Sequence, residues 1–276
     1  MIINGKIIAQ RLIMEIQQAV KQLSFQPVFC DVLVGADLAS KQYVEMKAKK
    51  AEECGMRFLR ANFPWAITTE SLLEEIVQLN SVKNLCGLIL QLPLPAHINT
   101  QLVLDKVGYN IDVECLSSER VKNFYAGDLS LVPPTANAIM EIFKSLALDL
   151  SKQNILVLGQ GKLVGKPLTY LLNQQGLKVN IATITTSNTA DLLKQADVIV
   201  SAVGKPNLIT ADKIKPNVVL IDAGTSEDYG TIVGDVNFNE VVNMTKAISP
   251  VPGGVGPVTV AKLLQNVLWV AKQNEN

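Results

Sequence analysis

The sequence has few histidines and cysteines, the residues that bind metal ions through nitrogen or sulfur. It contains a single histidine, His97, and four cysteines at positions 30, 54, 86 and 115, with no CxxC pair. Structural zinc sites need closely spaced cysteine and histidine ligands, so we expect no metal site. The cysteines lie among apolar residues, which predicts reduced thiols in the core.

An excess of one charge and a long apolar run are also missing. Basic and acidic residues number 25 each, which gives no electrostatic reason to expect a nucleic acid partner or an anionic membrane surface. No apolar stretch reaches the roughly 20 residues that span a bilayer. The first residues, MIINGKIIAQ, do not have the pattern of a signal peptide. We therefore expect no membrane association and a cytoplasmic location.

The chain does have the apolar content of a folded protein with a substantial core. Hydrophobic residues make up 48% of its 276 residues, and the mean hydropathy is +0.24. A chain of this length forms two modest domains or one large domain.

Hydrophobic periodicity predicts alternating helices and strands throughout. In the first part, strands are predicted over 27–35, 56–63 and 86–91 and helices over 7–23, 38–54 and 68–80. In the second part, strands are predicted over 154–159, 177–184, 197–204 and 218–224 and helices over 136–148, 167–175 and 190–195. A last helix follows from about residue 257.

This order predicts the α/β class with two α/β domains and largely parallel sheets. We place a first domain at 1–133 and a second, Rossmann-like dinucleotide-binding domain at 134–256. We expect the C-terminal helix, 257–276, to return to the first domain.

The segment LGQGKLVGKP, residues 158–167, has the glycines of a dinucleotide-binding loop between a strand and a helix. Gly159 suits a tight turn, Gly161 lets a phosphate approach the backbone, and the helix begins near Gly165. The spacing GxGxxxG is one residue longer than the usual motif. A plain strand-to-helix turn is the alternative interpretation, and the βαβ context favours the nucleotide.

The residues that usually select the dinucleotide are not there. The strand KVNIATI does not end in the acidic residue that binds an NAD ribose, and no arginine is nearby for the 2′-phosphate of NADP. Gln160 and the hydroxyls of Thr183, Thr185, Thr186 and Ser187 are candidate contacts, and Lys162 and Lys166 supply positive charge. The sequence leaves NADP and NAD both open.

Four polar residues of the first domain are candidates for a second site. Tyr43 and Lys47 are one helical turn apart and share a face. Gln91 ends a predicted strand at the edge where ligands bind in α/β sheets, and Asp112 follows in YNIDVECL. Each residue alone has an ordinary structural explanation, such as a solvated lysine run in KAKK.

Several segments together resemble the bifunctional methylenetetrahydrofolate dehydrogenase/cyclohydrolase (FolD-type) family. They are YVEMK (43–47), LILQLPLP (88–95), VSAVGKP (200–206), IVGDVNF (232–238) and SPVPGGVGPVTVAKLL (249–264). The resemblance covers nearly the whole chain in order. It implies oxidation of 5,10-methylenetetrahydrofolate with NAD(P), then hydrolysis of the methenyl form to 10-formyltetrahydrofolate, in one-carbon metabolism.

The resemblance also implies roles for individual residues. Lys47 would be the catalytic amine, oriented by Gln91, with Tyr43 stacked on the aminobenzoate ring and Asp112 on the pterin. The substrate would also contact the loop with Pro252, Gly253 and Gly254. Cofactor contacts would come from Gly159, Gln160, Gly161, Gly165, Thr225 and Thr259. A homodimer is implied, with the edge of the second sheet as the contact.

The chain departs from the family pattern mainly around the cofactor. Gln160-Gly161 stands where an Arg-Ser pair is usual, Asp112 is followed by Val113 where a DG pair is usual, and Thr183-Ile184 replaces a turn with His or Arg. Family habit favours NADP, while these departures favour NAD or weak discrimination. Two further hypotheses therefore stay open: a cyclohydrolase without useful dehydrogenase activity, and a non-catalytic folate- or nucleotide-binding protein.

Overall fold

The computed structural model describes residues 1–35, 38–228 and 231–275. Contacts between residues divide the chain into two compact units. We call residues 10–134 and 260–276 the three-stranded unit, and residues 1–9 and 135–259 the five-stranded unit, after their parallel sheets. None of the helices in the described ranges is long and apolar enough to cross a membrane.

The three-stranded unit is built on a parallel sheet with the order β2-β1-β3. Its strands are β1 (Val28–Val34), β2 (Arg57–Phe63) and β3 (Leu85–Leu90), and its helices are α2 (Leu38–Glu53), α3 (Thr69–Asn80), α4 (Thr100–Lys106) and α5 (Ser118–Tyr125). Strands β1 and β3 are buried along their whole length, as expected for a parallel sheet covered on both faces. The central strand therefore has no solvated side for its side chains.

Local sequence signals set the ends of the helices in this unit. The side chain of Thr68 caps α3 by accepting a hydrogen bond from the Ser71 amide at 3.2 Å. After α2, Gly55 takes a positive φ of 86°, which lets the chain turn directly into β2. The helix α5 was not predicted. Ser117 caps it and Arg120 and Phe124 are its buried residues.

The five-stranded unit has the order β10-β7-β6-β4-β5, with every neighbouring pair parallel. The strands are β4 (Ile155–Leu158), β5 (Val179–Ala182), β6 (Val198–Ser201), β7 (Val219–Asp222) and β10 (Ala247–Ile248), and the helices are α6 (Pro134–Ser145), α7 (Gly165–Gln174), α8 (Thr189–Gln195) and α9 (Phe238–Val241). An antiparallel ribbon, β8 (Ser226–Asp228) with β9 (Thr231–Val233), lies outside this sheet. Helices α1 (Gly5–Val20) and α10 (Val255–Glu275) contain the boundaries at 9/10 and 259/260.

Backbone hydrogen bonds tie the first residues of the chain to the end of β10. The Ile3 amide donates to Ile248 at 2.8 Å, and the Gly5 amide donates to Gly253 at 3.0 Å. A side chain at Gly5 would collide with the Gly254 carbonyl, so glycine is required for this approach. The loop 249–254 is therefore held near both of its ends within the five-stranded unit.

Candidate functional site

Lys47 is the centre of a buried polar cluster in the three-stranded unit. Its ammonium lies 2.6 Å from Oδ2 of Asp31 and donates to Oε1 of Gln91 at 2.7 Å. The side chains of Lys47 and Asp31 are 4% and 0% exposed. Helix α2 provides the lysine, the middle of β1 the aspartate, and the residue after β3 the glutamine. The alternative that Lys47 belongs to a solvated lysine run in KAKK is therefore wrong.

Tyr43 lies one helical turn before Lys47, and the Lys47 ammonium is 5.7 Å from the centre of its ring. The tyrosine is half-buried. Burial raises the pKa of its hydroxyl, and the charge of Glu114 raises it further. Tyr43 and Gln91, which were predicted to converge with Lys47, thus both lie close to its amine.

The carboxylate of Asp112 has a structural role in its own turn. It accepts hydrogen bonds from the Leu116 amide at 3.0 Å, the Ser117 amide at 2.8 Å and the Ser117 hydroxyl at 2.7 Å. These bonds fix the start of α5, because Ser117 is the residue that caps that helix. Asp112 is itself buried, at 4% exposure.

Glu114, two residues further along the chain, is an acidic group whose pKa depends on the charges of Lys47, Asp31 and Asp112. Burial raises the pKa of its carboxyl to about 7, and the positive charge of Lys47 opposes that rise. The nearby carboxylates of Asp31 and Asp112 act with the burial. A group that titrates near neutral pH beside a buried lysine is a candidate for acid–base chemistry or for substrate recognition. We call Asp31, Tyr43, Lys47, Gln91 and Glu114 the lysine cluster.

Two members of the lysine cluster were missed from the sequence. Asp31 had a visible signal, because it is the only charged residue in a strand that is otherwise apolar, VFCDVLV. Burying a charge is costly unless it is paired, so a lone acidic residue in a buried strand points to a basic partner elsewhere. Glu114 had a weaker signal, since it stands two residues after the predicted Asp112.

The glycine loop of the five-stranded unit has the geometry of a phosphate-binding turn. Gly159 has a positive φ of 87°, and a side chain there would come within 2.5 Å of the Ala202 carbonyl. A side chain at Gly165 would strike the Gly159 carbonyl. At Gly161, by contrast, a side chain would meet nothing within 4 Å. Two glycines therefore close the turn, and the third leaves open space in front of helix α7.

The side chain of Gln160 is engaged inside this loop. Its amide nitrogen donates to the Gly159 carbonyl and to the Thr169 hydroxyl, both at 3.1 Å. The hydroxyls after β5 also bond locally, with 3.0 Å between those of Thr183 and Thr185. The Thr186 hydroxyl accepts from the Thr183 amide at 3.0 Å. No charged side chain takes part in these bonds.

Two buried aspartates shape the loops that follow β6 and β7. The carboxylate of Asp235 accepts from the Ser201 hydroxyl at 2.6 Å and from the Val203 and Lys205 amides at 2.8 Å each. These bonds end β6 at Ser201, although the apolar run predicted a strand to residue 204. Asp222 accepts from the Val236 amide at 2.9 Å, and burial raises the pKa of its carboxyl to about 6.

The remaining predicted contacts lie in the same unit. Thr225 is exposed just after β7, and Thr259 donates to the Val255 carbonyl of its own helix at 3.2 Å. Pro252 is exposed after a cis peptide bond, and Gly253 has a φ of 105°. A side chain at Gly254 would lie 2.5 Å from the Pro250 carbonyl, so this loop also depends on glycine.

Metal-binding clusters are not found in the described part of the chain. The four cysteines are free and buried, as predicted. Burial raises the pKa of the Cys30 and Cys54 thiols to about 12, so neither is a thiolate at neutral pH.

Comparisons with known proteins find family matches over both units. Residues 3–114 match the family model described as the tetrahydrofolate dehydrogenase/cyclohydrolase catalytic domain, and residues 133–275 match its NAD(P)-binding domain. The bifunctional protein FolD of Macrococcus caseolyticus is 38% identical over 275 residues, which cover 99% of this chain and 98% of the relative.

Solved structures give the same result. The bifunctional FolD enzyme from Campylobacter jejuni is 33% identical with a TM-score of 0.92, and the match covers 99% of both chains. The FolD enzyme from Trypanosoma brucei, complexed with NADP cofactor and an inhibitor, is 31% identical with a TM-score of 0.93, over 99% of this chain and 98% of that one. The resemblance and the two-domain α/β class predicted from the sequence are confirmed, and the chain belongs to the tetrahydrofolate dehydrogenase/cyclohydrolase family.

Proposed function

We propose that the lysine cluster binds the folate ring system and carries the acid–base chemistry of the family's reactions. As a member of the family, the chain oxidises 5,10-methylenetetrahydrofolate to the methenyl form with NAD(P) and hydrolyses the methenyl form to 10-formyltetrahydrofolate. The observation that carries the assignment of residues is the buried Lys47, held by Gln91 at 2.7 Å. A desolvated amine with a fixed direction is suited to repeated proton transfer.

In the oxidation, the cofactor supplies the hydride acceptor. We assign the turn of Gly159, Gly161 and Gly165 to its pyrophosphate, since the turn leaves open space in front of a helix N-terminus. We assign Thr225, Thr259 and Gln160 to further cofactor contacts. Pro252, Gly253 and Gly254 are assigned to the substrate.

In the hydrolysis, a water molecule adds to the cationic amidinium carbon, and protons then move to and from nitrogen. Lys47 is the group proposed to move them, with Gln91 fixing the direction of its ammonium. Tyr43 offers a half-buried ring on the same helical face for stacking against the aminobenzoate.

For the pterin ring we propose Glu114 in the role first predicted for Asp112. The Asp112 carboxylate already accepts three hydrogen bonds of 3.0 Å or shorter from its own turn. The Glu114 carboxyl instead interacts with the charges of Lys47 and Asp31. A carboxylate suits the adjacent N–H donors of a pterin edge.

NADP is the proposed physiological cofactor. We expect this chain to discriminate against NAD less strongly than relatives that carry an arginine at the cofactor. The FolD enzyme of Trypanosoma brucei was solved with NADP. In this chain, hydroxyl groups such as Thr183 and Thr185 and the charges of Lys162 and Lys166 would replace an arginine. Neutral hydroxyls bind a phosphate less strongly than a guanidinium does.

We also propose that residues 1–133 with the helix from 257 form the folate domain and 134–256 the NAD(P) domain. A cytoplasmic location is supported by the four free, buried cysteines. A homodimer would form through β5, which is the edge strand of its sheet and leaves Ile181 41% exposed. Analytical ultracentrifugation of the wild type and Ile181→Lys tests the dimer.

Turnover of 5,10-methylenetetrahydrofolate with NADP and NAD in parallel tests the function. We expect reduced nicotinamide with both, NADP giving the higher kcat/KM, and we expect Lys47→Ala to abolish methenyl hydrolysis. One observation favours an alternative, a cyclohydrolase without useful dehydrogenase activity. The side-chain amide of Gln160 is hydrogen-bonded within its own loop, to Gly159 and Thr169, and in that position it does not offer this nitrogen to a cofactor. That alternative is correct if neither nicotinamide is reduced while the methenyl form is still hydrolysed.

A further inference from the structure

Asp31 occupies an unusual position for a charged residue. It lies in the middle of the central strand β1, opposite Arg60 of β2 and Ile89 of β3 in the register. Side chains alternate along a strand, so Asp31 shares its face with Phe29 and Leu33, both buried. A carboxylate in such apolar surroundings is strongly penalised unless something pairs with it.

In the part of the chain that is described, Lys47 is the one group that pairs with this carboxylate. The Lys47 ammonium lies 2.6 Å from Oδ2, and among the described residues no further hydrogen-bond donor reaches either carboxylate oxygen. A carboxylate normally accepts several hydrogen bonds, so this one depends wholly on a single amine. The charge state of Asp31 is therefore tied to that of Lys47.

We propose that Asp31 is a positioning residue that directs Lys47 toward Gln91 and stores the proton of that lysine during hydrolysis of the methenyl substrate. The inference rests on the proposed function, because it gives a proton path to the same amine. It adds a role for a strand residue that does not itself have to touch the folate.

Lys47 and Asp31 hold the proton in turn. The ammonium of Lys47 first passes a proton to Asp31, which leaves a neutral amine beside a neutral acid. As the oxygen of water bonds to the amidinium carbon, the amine takes one proton from that water. Lys47 then protonates N5 while the C–N5 bond breaks, and it recovers a proton from the new formyl oxygen. Asp31 finally releases its stored proton to solvent, which accounts for the one proton that the reaction produces.

The charges around the pair fit this path. Burial raises the pKa of Asp31, and the charge and hydrogen bond of Lys47 oppose that rise. Burial therefore makes the protonated acid less costly at this position than it is in water. The other ionisable groups of the cluster are Glu114, whose carboxyl interacts with both partners, and Tyr43 on the same helix as the lysine. Gln91 carries no charge.

The pH dependence of the hydrolysis rate tests the proposal with Asp31→Asn. The asparagine keeps the size of the side chain but cannot accept the proton, so Lys47 must lose it to solvent before acting as a base. We expect kcat of the variant to rise about tenfold per pH unit in the acid part of the range from about pH 6 to 8.5. Glu114 titrates near neutral pH and would add its own pH dependence. The proteins with and without Asp31→Asn are therefore compared in the Glu114→Gln background. In that background, kcat of the protein that keeps Asp31 should change little with pH.

A purely structural role of Asp31 predicts a different result. It would lower the rate by one factor at every pH, and that parallel profile, or an unchanged rate, would overturn the proposal. Cys30→Ala is the matched control, since it alters the same strand on its other face and should keep the shape of the wild-type profile. Rates of buffer-catalysed hydrolysis are subtracted throughout.

The proposal stays testable if Asp31→Asn does not fold. A tenfold rise per pH unit in Glu114→Gln alone, with Asp31 present, would show that Lys47 exchanges its proton with solvent and would refute the storage role. A wild type that hydrolyses no methenyltetrahydrofolate would overturn the proposed function together with this inference. An active wild type with a parallel Asp31→Asn profile overturns the inference only.

Discussion

Replacing Lys47 by methionine should destabilise the three-stranded unit strongly, and replacing Asp31 by valine as well should restore most of the loss. Methionine has nearly the length of lysine without its charge, so the single variant leaves Asp31 buried without a partner. The double variant leaves two apolar side chains in a place that is already apolar. Replacing one partner and replacing both therefore have opposite consequences.

The size of the effect follows from the geometry of the pair. Two unit charges 2.6 Å apart attract by roughly 6 kcal/mol at an effective dielectric constant of about 20. Withdrawing both ions from water costs several kcal/mol each, so the intact pair contributes little net stability. Removing one partner loses the attraction and keeps the desolvation cost of the other. We expect a loss of about 3–5 kcal/mol for Lys47→Met and a change of about 1 kcal/mol or less for the double variant.

The penalty of Lys47→Met should also depend on pH. The pKa of Asp31 is already raised by burial, and without Lys47 nothing opposes that rise. Above the pKa of an unfolded aspartate, the folded variant then binds a proton that the unfolded chain has lost, and its stability falls as the pH increases. We expect a small penalty near pH 4 that grows toward pH 8.

Urea unfolding followed by tryptophan fluorescence measures these changes in the right part of the molecule. The chain has two tryptophans, Trp65 and Trp269, and both belong to the three-stranded unit. Unfolding is measured for the wild type, both single variants and the double variant at two pH values. A penalty below about 1 kcal/mol for Lys47→Met at both pH values would mean that water solvates the pair, contrary to its burial.

Three further predictions concern the rest of the site. Gly161→Ala should fold like the wild type but weaken cofactor binding at least about tenfold, because its methyl group enters the open space that we assign to the phosphate. Equal cofactor titrations of Gly161→Ala and the wild type would refute the phosphate assignment. Gly159→Ala should instead lose about 1–3 kcal/mol of stability, because residue 159 has a positive φ. The pKa of Asp222 is about 6 in the folded protein, so the five-stranded unit should lose about 3 kcal/mol of stability between about pH 4 and pH 7. Hydrogen exchange should show that this slope vanishes in Asp222→Asn, and a persisting slope would assign it to another group. Asp112→Asn should lower stability by about 1–3 kcal/mol with little change in the KM for folate, whereas Glu114→Gln should raise that KM about tenfold or more with little loss of stability. The reverse pattern in thermal unfolding and initial-rate measurements would return the pterin role to Asp112.

Most of the fold could be predicted because its signals are local. The apolar run of β1, the threonine cap of α3 and the glycine that ends α2 are each contained in a few residues, and the structure has them where the sequence placed them. Elements that depend on distant partners were missed. Strand β10 has two residues and exists through its pairing with β7, and no periodicity can reveal a strand of that length.

In the candidate site, too, features set by local spacing could be predicted, and features that depend on distant residues could not. The spacing of Tyr43 and Lys47 shows that they share a helical face, and Gln91 ends the predicted strand 86–91, so their meeting was predictable. What the spacing could not show is the depth at which Lys47 lies, because burial depends on the whole unit. The end of β6 at Ser201 likewise depends on Asp235, which is 34 residues away in sequence.

The buried aspartate changes the electrostatics of the lysine that we propose as catalytic. A neutral glutamine orients an amine and leaves its charge unopposed, which was the arrangement predicted from the sequence. With Asp31 at 2.6 Å, the amine carries a neutralising partner into the protein interior. The pair as a whole is then neutral, so a cationic amidinium can approach it without the repulsion that a lone ammonium would exert. If Lys47 carries the hydrolysis as proposed, Asp31 addresses two needs of that step: it permits a protonated lysine to be buried, and it lets a positively charged substrate bind beside that lysine.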